Sequence, residues 1–308
     1  MNTLVIGGAG FIGTHLVSEL LATGRTVTIL DRRTDAIQEL PRGADYVAGD
    51  FGQCQLIREL LCNHEEVIHL AYTSVPKTSF ENPFSDLLEN LPPTVQLFAE
   101  TAESGRKLLF VSSGGTVYGE AGTLPIREDH PTRPISPYGL TKLTLEGYAH
   151  LYAVTHGLKF VCVRPANAFG PGQKPFTGQG FIASAMTSMM RGLPVTVFGQ
   201  RGTVRDYIYV GDLAAGIVSA LEKGRPSEIY NLGSGVGRTN MDVIEAILPL
   251  MKGLSHKIRI EHLPERTFDV RANILDSGKL HKDTGWSPTT PFDKGLLRTR
   301  EWLKDFHG

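Results

Sequence analysis

A glycine loop six residues into the chain, Gly7-Gly8-Ala9-Gly10-Phe11-Ile12-Gly13, restricts the fold more than any other stretch. The apolar, partly β-branched run at 3–7 reads as a strand, and Ile12, Leu16 and Leu20 recur at helical spacing until Gly24 stops them. Strand, glycine loop and helix in that order open the βαβ unit that holds a dinucleotide. Gly7 permits the tight turn, Gly10 lets the backbone approach a pyrophosphate, and Gly13 lets the helix close on the strand, with Phe11 and Ile12 between them. The run at 26–30 ends in Asp31, about 20 residues past the loop, where an acid binds a ribose 2′-hydroxyl and repels a 2′-phosphate. NAD is thus the expected cofactor; Arg32 and Arg33 beside that acid keep NADP as the alternative.

Strands and helices keep alternating. Strands are expected at 45–48, ending near Asp50-Phe51, at 67–71, at 107–111 and at 158–163, with helices between them, one spanning about 83–104. That alternation implies an α/β fold with a doubly wound parallel sheet of the Rossmann type. Ligands bind beyond the carboxyl ends of such strands, which places Gly10, Asp31, Asp50, Ala71, Ser113 and Pro165 along one rim. After Pro165 the pattern breaks into short elements, including a strand expected at 257–260. Residues 1–165 are read as the NAD-binding domain, with a return to it near 205–232. Residues 166–308 are read mainly as a smaller α/β substrate lobe folded over the rim.

A net charge of -1 without a basic stripe argues against nucleic acid. The N-terminus has no signal-peptide pattern and no segment approaches about 20 apolar residues, so no membrane span and a cytoplasmic location are expected. Cys54, Cys62 and Cys162 are too few and too scattered for a disulfide framework or a metal site; small buried thiols are expected, and no metal.

Tyr138 and Lys142, in Ser136-Pro137-Tyr138-Gly139-Leu140-Thr141-Lys142, are one helical turn apart and share a face. An ammonium beneath a phenol favours the phenolate, and with a cationic nicotinamide nearby the pair makes a base near neutral pH. The spacing alone also fits a surface helix with a half-buried ring; the dinucleotide rim is what favours chemistry.

Seven segments in order resemble the extended short-chain dehydrogenase/reductases: the glycine loop, His69-Leu70-Ala71, Ser112-Ser113 through Val117-Tyr118-Gly119, Ser136-Pro137-Tyr138 through Lys142, Arg164-Pro165-Ala166-Asn167, Arg205-Asp206-Tyr207-Ile208-Tyr209-Val210 and Asn231-Leu232-Gly233-Ser234-Gly235. Within that superfamily the chain is most similar to the NAD-dependent nucleotide-sugar epimerases of the UDP-glucose 4-epimerase type. The resemblance implies that Tyr138 takes the proton of a sugar hydroxyl and that Lys142 binds the nicotinamide ribose. It sets Asp50 and Phe51 at the adenine, Ala71 and Asn90 along the pyrophosphate, Pro165 at the nicotinamide, and Leu70 and Ser112 among the other cofactor contacts. Asn167, Arg205 and Arg266 match positions that bind the diphosphate of a UDP-linked sugar, and Ser74 joins the substrate contacts. A buried diphosphate needs guanidinium forks of this kind. Relatives usually pair as homodimers through the tyrosine helix and its neighbour.

One departure concerns Gly114, where many epimerases carry the Ser or Thr that shares the substrate proton. Thr116 is the favoured replacement and Ser113 the alternative. The acid pair of 4,6-dehydratases is matched by Gly115 and Thr116, which lowers that reading. A UDP-glucuronate 4-epimerase or decarboxylase remains open, as does a non-catalytic NAD-binding protein. Asn273, seven after Arg266, occupies a position that limits room at the sugar C2 and is smaller than the tyrosine of strict glucose/galactose enzymes, so N-acetylhexosamine nucleotides are expected to fit.

Overall fold

Runs such as Leu4-Val5-Ile6 and Val67-Ile68 are buried on both faces, which only a sheet covered by helices on either side can provide. The computed structural model describes residues 1–32, 40–266 and 269–306; Arg33 lies outside them, as do Thr267 and Phe268. The first half supplies strands β1 (Asn2–Ile6), β2 (Thr26–Asp31), β3 (Asp45–Ala48), β4 (Glu66–His69), β5 (Lys107–Val111) and β6 (Lys159–Pro165). Between them run helices α1 (Phe11–Ala22), α2 (Cys54–Cys62), α3 (Pro76–Glu81), α4 (Pro83–Glu103) and α5 (Pro137–His156). The second half holds β7 (Asn167–Phe169), α6 (Phe181–Met190), β8 (Val195–Phe198), β9 (Val204–Tyr209), α7 (Val210–Lys223), β10 (Glu228–Leu232) and β11 (Gly237–Thr239). It closes with α8 (Asn240–Ile247), β12 (Ile260–Leu263), β13 (Ala272–Asn273), α9 (Gly278–Thr284) and α10 (Phe292–Asp305).

The large sheet runs β3-β2-β1-β4-β5-β6-β10, with every pair parallel. Leu16, Val17 and Leu20 of α1 and Leu213, Ile217 and Leu221 of α7 fill one face. Ile57, Leu97, Phe98, Leu145 and Ala149 of α2, α4 and α5 fill the other. Strand order reverses between β1 and β4, so a crevice opens beyond their carboxyl ends. There the amides of Leu70 and Ala71 both donate to Ile6 O, at 2.9 and 3.1 Å.

Within 205–232, β10 joins the large sheet beside β6, whereas β9 belongs to a smaller sheet with β7, β11 and β13. A third apolar cluster, built from α6, α8 and α10, supports that smaller sheet. The strand expected at 257–260 begins instead at Ile260, because its partner β8 sets the register from Ile260↔Val195. Ahead of the helix expected at about 83–104, α3 occupies a stretch for which no separate helix is read from the sequence. Of the cysteines, only Cys162 is buried; Cys54 is partly exposed and Cys62 exposed, which corrects the expectation of three buried thiols, since these two are the first and last residues of α2, at its ends. No helix among the described residues is long and apolar enough to cross a membrane.

Candidate active site

The cofactor end of the rim is built by close backbone approach. Gly7 has φ +83°, and a Cβ there would sit 2.6 Å from Ala71 N. At Gly13 a Cβ would meet Gly7 O and Gly8 O at 2.6 Å, whereas at Gly10 the nearest atom is 3.5 Å away. Two glycines therefore weld loop to strand, and the third leaves room at the start of α1. That helix has no side-chain cap and no acid in its first turn, so its free amides meet an anion unopposed. Asp31 Oδ2 accepts from Ala9 N at 3.1 Å, which fixes the acid at the end of β2 beside the loop. These features fit a bound dinucleotide. Arg32 lies 3.5 Å from Asp50 in an exposed ion pair, so its charge is already answered on the side where a 2′-phosphate would need it.

Phe51 stands 4.9 Å from the His69 ring, centroid to centroid. Asn90 has its amide occupied: Oδ1 accepts from Thr73 N at 2.9 Å, and Nδ2 donates to Thr73 Oγ1 and Asp86 O. It thereby holds the loop after β4 along the crevice. Ser74 Oγ donates to Asp86 Oδ1, which turns its proton away from any substrate.

α5 begins with Ser136 accepting from Gly139 N at 3.1 Å and Pro137 at the first helical position. This start aims Tyr138 at the rim, with Lys142 one turn on. Lys142 is buried, donates to Val111 O at 2.9 Å, and lies 5.8 Å from the centre of the Tyr138 ring. Burial brings its pKa down to about 7, against the nearby Cys162, Asp86 and Glu146, which raise it. Burial also pushes the Tyr138 phenol well above its ordinary value; a hydrogen bond from Ser113 works the other way, and Asp86 adds to the rise. The expected base sets Lys142 together with a cationic nicotinamide against the phenol's proton, and burial is what those charges have to offset.

The hydroxyl next to that phenol belongs to Ser113. Thr116, the favoured replacement, has its Oγ1 buried with no partner among the described residues, and the start of α5 presses on its carbonyl, since a Cβ at Gly139 would come within 2.9 Å of Thr116 O. Gly114 cannot carry the family's hydroxyl, because a Cβ there would meet Leu275 Cδ1 at 2.4 Å and Arg164 O at 2.8 Å. The loop is pinned by Gly114 N donating to Pro165 O, and by Asn273 Nδ2 donating to Gly114 O, both at 2.9 Å.

The smaller sheet gathers the substrate candidates. Asn167 pairs with Tyr207 and Asn273 with Arg205 in the strands flanking β9. Asn167 Oδ1 lies beside Gly115, which sets it against the catalytic loop. Arg205 donates to Val204 O at 2.9 Å, and burial lowers its pKa despite Tyr207, Asp269 and Glu120 nearby. A guanidinium so weakly compensated favours an incoming anion. Arg266, on the two-stranded β8–β12 side, stacks 3.5 Å above the Phe198 ring and is exposed.

Several residues of the site went unread in the sequence. Tyr72 and Asp86 pack behind the pair. Glu146 continues the polar face of α5 and takes both a salt bridge from Arg164 at 2.5 Å and a hydrogen bond from Ser112. The 138, 142, 146 spacing was the available signal for Glu146; none marked Tyr72.

A dinucleotide loop, a parallel sheet and a tyrosine–lysine pair at its carboxyl rim define an NAD-dependent enzyme of the extended short-chain dehydrogenase/reductase class. The chain belongs to the NAD dependent epimerase/dehydratase family, whose model matches residues 3–233, and NAD is its cofactor. It is 32% identical over 313 residues to a UDP-glucose 4-epimerase of Mycolicibacterium smegmatis, covering 99% of each chain. It is also 32% identical over 319 residues to a dTDP-glucose 4,6-dehydratase of Actinoplanes sp., covering 99% of this chain and 98% of the relative. The solved UDP-glucose 4-epimerase of Thermotoga maritima, crystallised with UDP-glucose, superposes with a TM-score of 0.92 at 33% identity over 99% of each chain.

Proposed function

We propose that this enzyme is a UDP-sugar 4-epimerase acting through a transient 4-keto sugar, and that it accepts both hexose and N-acetylhexosamine nucleotides. The observation that carries the choice over dehydration is that, among the described residues, no acid beside Tyr138 is available. Gly115 and Thr116 cannot protonate a departing C6 hydroxyl, and the two buried carboxylates nearby are engaged, Asp86 by Ser74 and Thr141 and Glu146 by Arg164. Tyr138 takes the C4 hydroxyl proton and later returns it, with Ser113 sharing the hydrogen bond. Bound NAD supplies the hydride acceptor and then the donor at that carbon. Arg205, Asn167 and Arg266 hold the diphosphate while the sugar turns, and Lys142 steadies the charge at the phenolate and contacts the ribose. Asn273, tied to Gly114 O, puts a side chain smaller than tyrosine at the position that limits room near C2.

A panel of UDP-sugars tests this reading. Interconversion of UDP-glucose with UDP-galactose, and of their N-acetylamino counterparts, is expected. Turnover of UDP-glucuronate alone, with a uronate epimer or a pentose as product, would replace it with the uronate 4-epimerase or decarboxylase reading.

The same reading includes a homodimer. Phe84 and Leu88 on α4 and Leu140, Tyr148, Leu151 and Val154 on α5 are exposed apolar side chains, on the two helices through which the resemblance expects pairing. Sedimentation should give a dimer that Leu151→Glu converts to a monomer; a wild-type monomer would remove the dimer from the reading.

A further inference from the structure

Among the aromatic rings around it, Lys142 Nζ lies nearest to the face of Tyr72, 4.1 Å from the ring centre, with Phe110 at 5.5 Å and Tyr138 at 5.8 Å. The edge of the same Tyr72 ring meets Tyr138 with centroids 4.8 Å apart at 68°. The hydroxyl of Tyr72 reaches Asp86 Oδ2 at 3.5 Å, and that carboxylate also accepts from Thr141 Oγ1 at 2.9 Å and from Ser74. The ring is thus tethered at its hydroxyl from the α4–α5 side.

We propose that Tyr72 is a positioning residue for the reaction, its ring forming the floor on which the Lys142 ammonium and the Tyr138 ring are held in register. The proposal rests on the epimerase reading for its kinetic part only. A buried ammonium with one carbonyl acceptor is under-solvated, and an aromatic face is the uncharged surface that best replaces water around a cation. Of the other groups that face Lys142, the carboxylates favour the ammonium only through space. Asp86 on α4 and Glu146 on α5 are engaged elsewhere, and Glu146 answers Arg164. Cys162 on β6 is held as the neutral thiol by burial, and His69 on β4 is held neutral. Removing the Tyr72 ring therefore lowers the pH at which Lys142 loses its proton and, through the weakened ammonium, raises the pH at which Tyr138 ionises.

Tyr72→Leu and Tyr72→Met remove the ring and Tyr72→Phe keeps it. In the holoenzyme the two ring-less variants should lose about 10-fold in kcat with KM for the UDP-sugar within about twofold, and the two limbs of the pH profile should shift in opposite directions by about 0.5–1 unit. Tyr72→Phe should stay within about threefold of wild type with an unshifted profile. A second readout needs no sugar: the near-ultraviolet tyrosinate band, taken as the difference from a Tyr138→Phe control, should appear at higher pH in the ring-less variants than in wild type. If those variants keep the wild-type pH profile and tyrosinate titration, or if Tyr72→Phe behaves as they do, the ring is not the floor. A shifted tyrosinate band in an enzyme that epimerises nothing would retain the proposal and discard the epimerase reading, so the two fail separately.

Discussion

Tyr138→Phe is expected to purify with NAD still bound and to turn over UDP-sugars at least about 100-fold more slowly, the lower end of what a general base contributes. Only the phenolic oxygen is lost. The ring keeps its contact with Tyr72, and neither the glycine loop nor Asp31 touches that oxygen, so cofactor binding has no reason to change. The phenol is held up by burial, so activity should rise with pH as the phenolate forms, and the mutant should lose that rising limb as well as rate. A mutant within about tenfold of wild type with the limb intact would take Tyr138 out of the proton step.

Glu146→Gln should cost about 3–5 kcal/mol of unfolding free energy, read as a lower urea midpoint. Arg164 donates to both Glu146 oxygens, at 3.0 and 2.5 Å, and to Tyr118 OH at 2.8 Å, with all three side chains buried. Tyr118 OH donates to Asn231 Oδ1, so α5, β6, the 113–118 loop and β10 share one polar network. Glutamine keeps the volume but leaves a guanidinium in the core without a counter-charge. Glu146→Leu combined with Arg164→Met removes both charges and should recover much of the loss. A drop below about 1 kcal/mol for the single variant would indicate a pair that water reaches.

Where function depends on neighbours in sequence, the chain was readable. Gly7, Gly10 and Gly13 sit where φ and backbone clearance require them, Asp31 ends its strand beside the loop, and Tyr138 and Lys142 fall one turn apart on a helix that starts at a serine cap. What failed to read through depended on residues far away in the chain. Whether Ser113 or Thr116 reaches the phenol is decided by Leu275 and the 164–165 carbonyls crowding Gly114. The start of β12 is decided by β8. The phenol's proton affinity is decided by burial, which no motif encodes, and Tyr72 acquires its place only when the loop after β4 folds against α4 and α5.

The transient keto sugar is the central claim, and a deuterium label at C4 of UDP-glucose tests it most directly. The predicted product is UDP-galactose that retains deuterium at C4, with no accumulation of reduced cofactor. Deuterium found at C6, or collected in released reduced cofactor, would contradict the account and assign the chain to dehydration or to net oxidation.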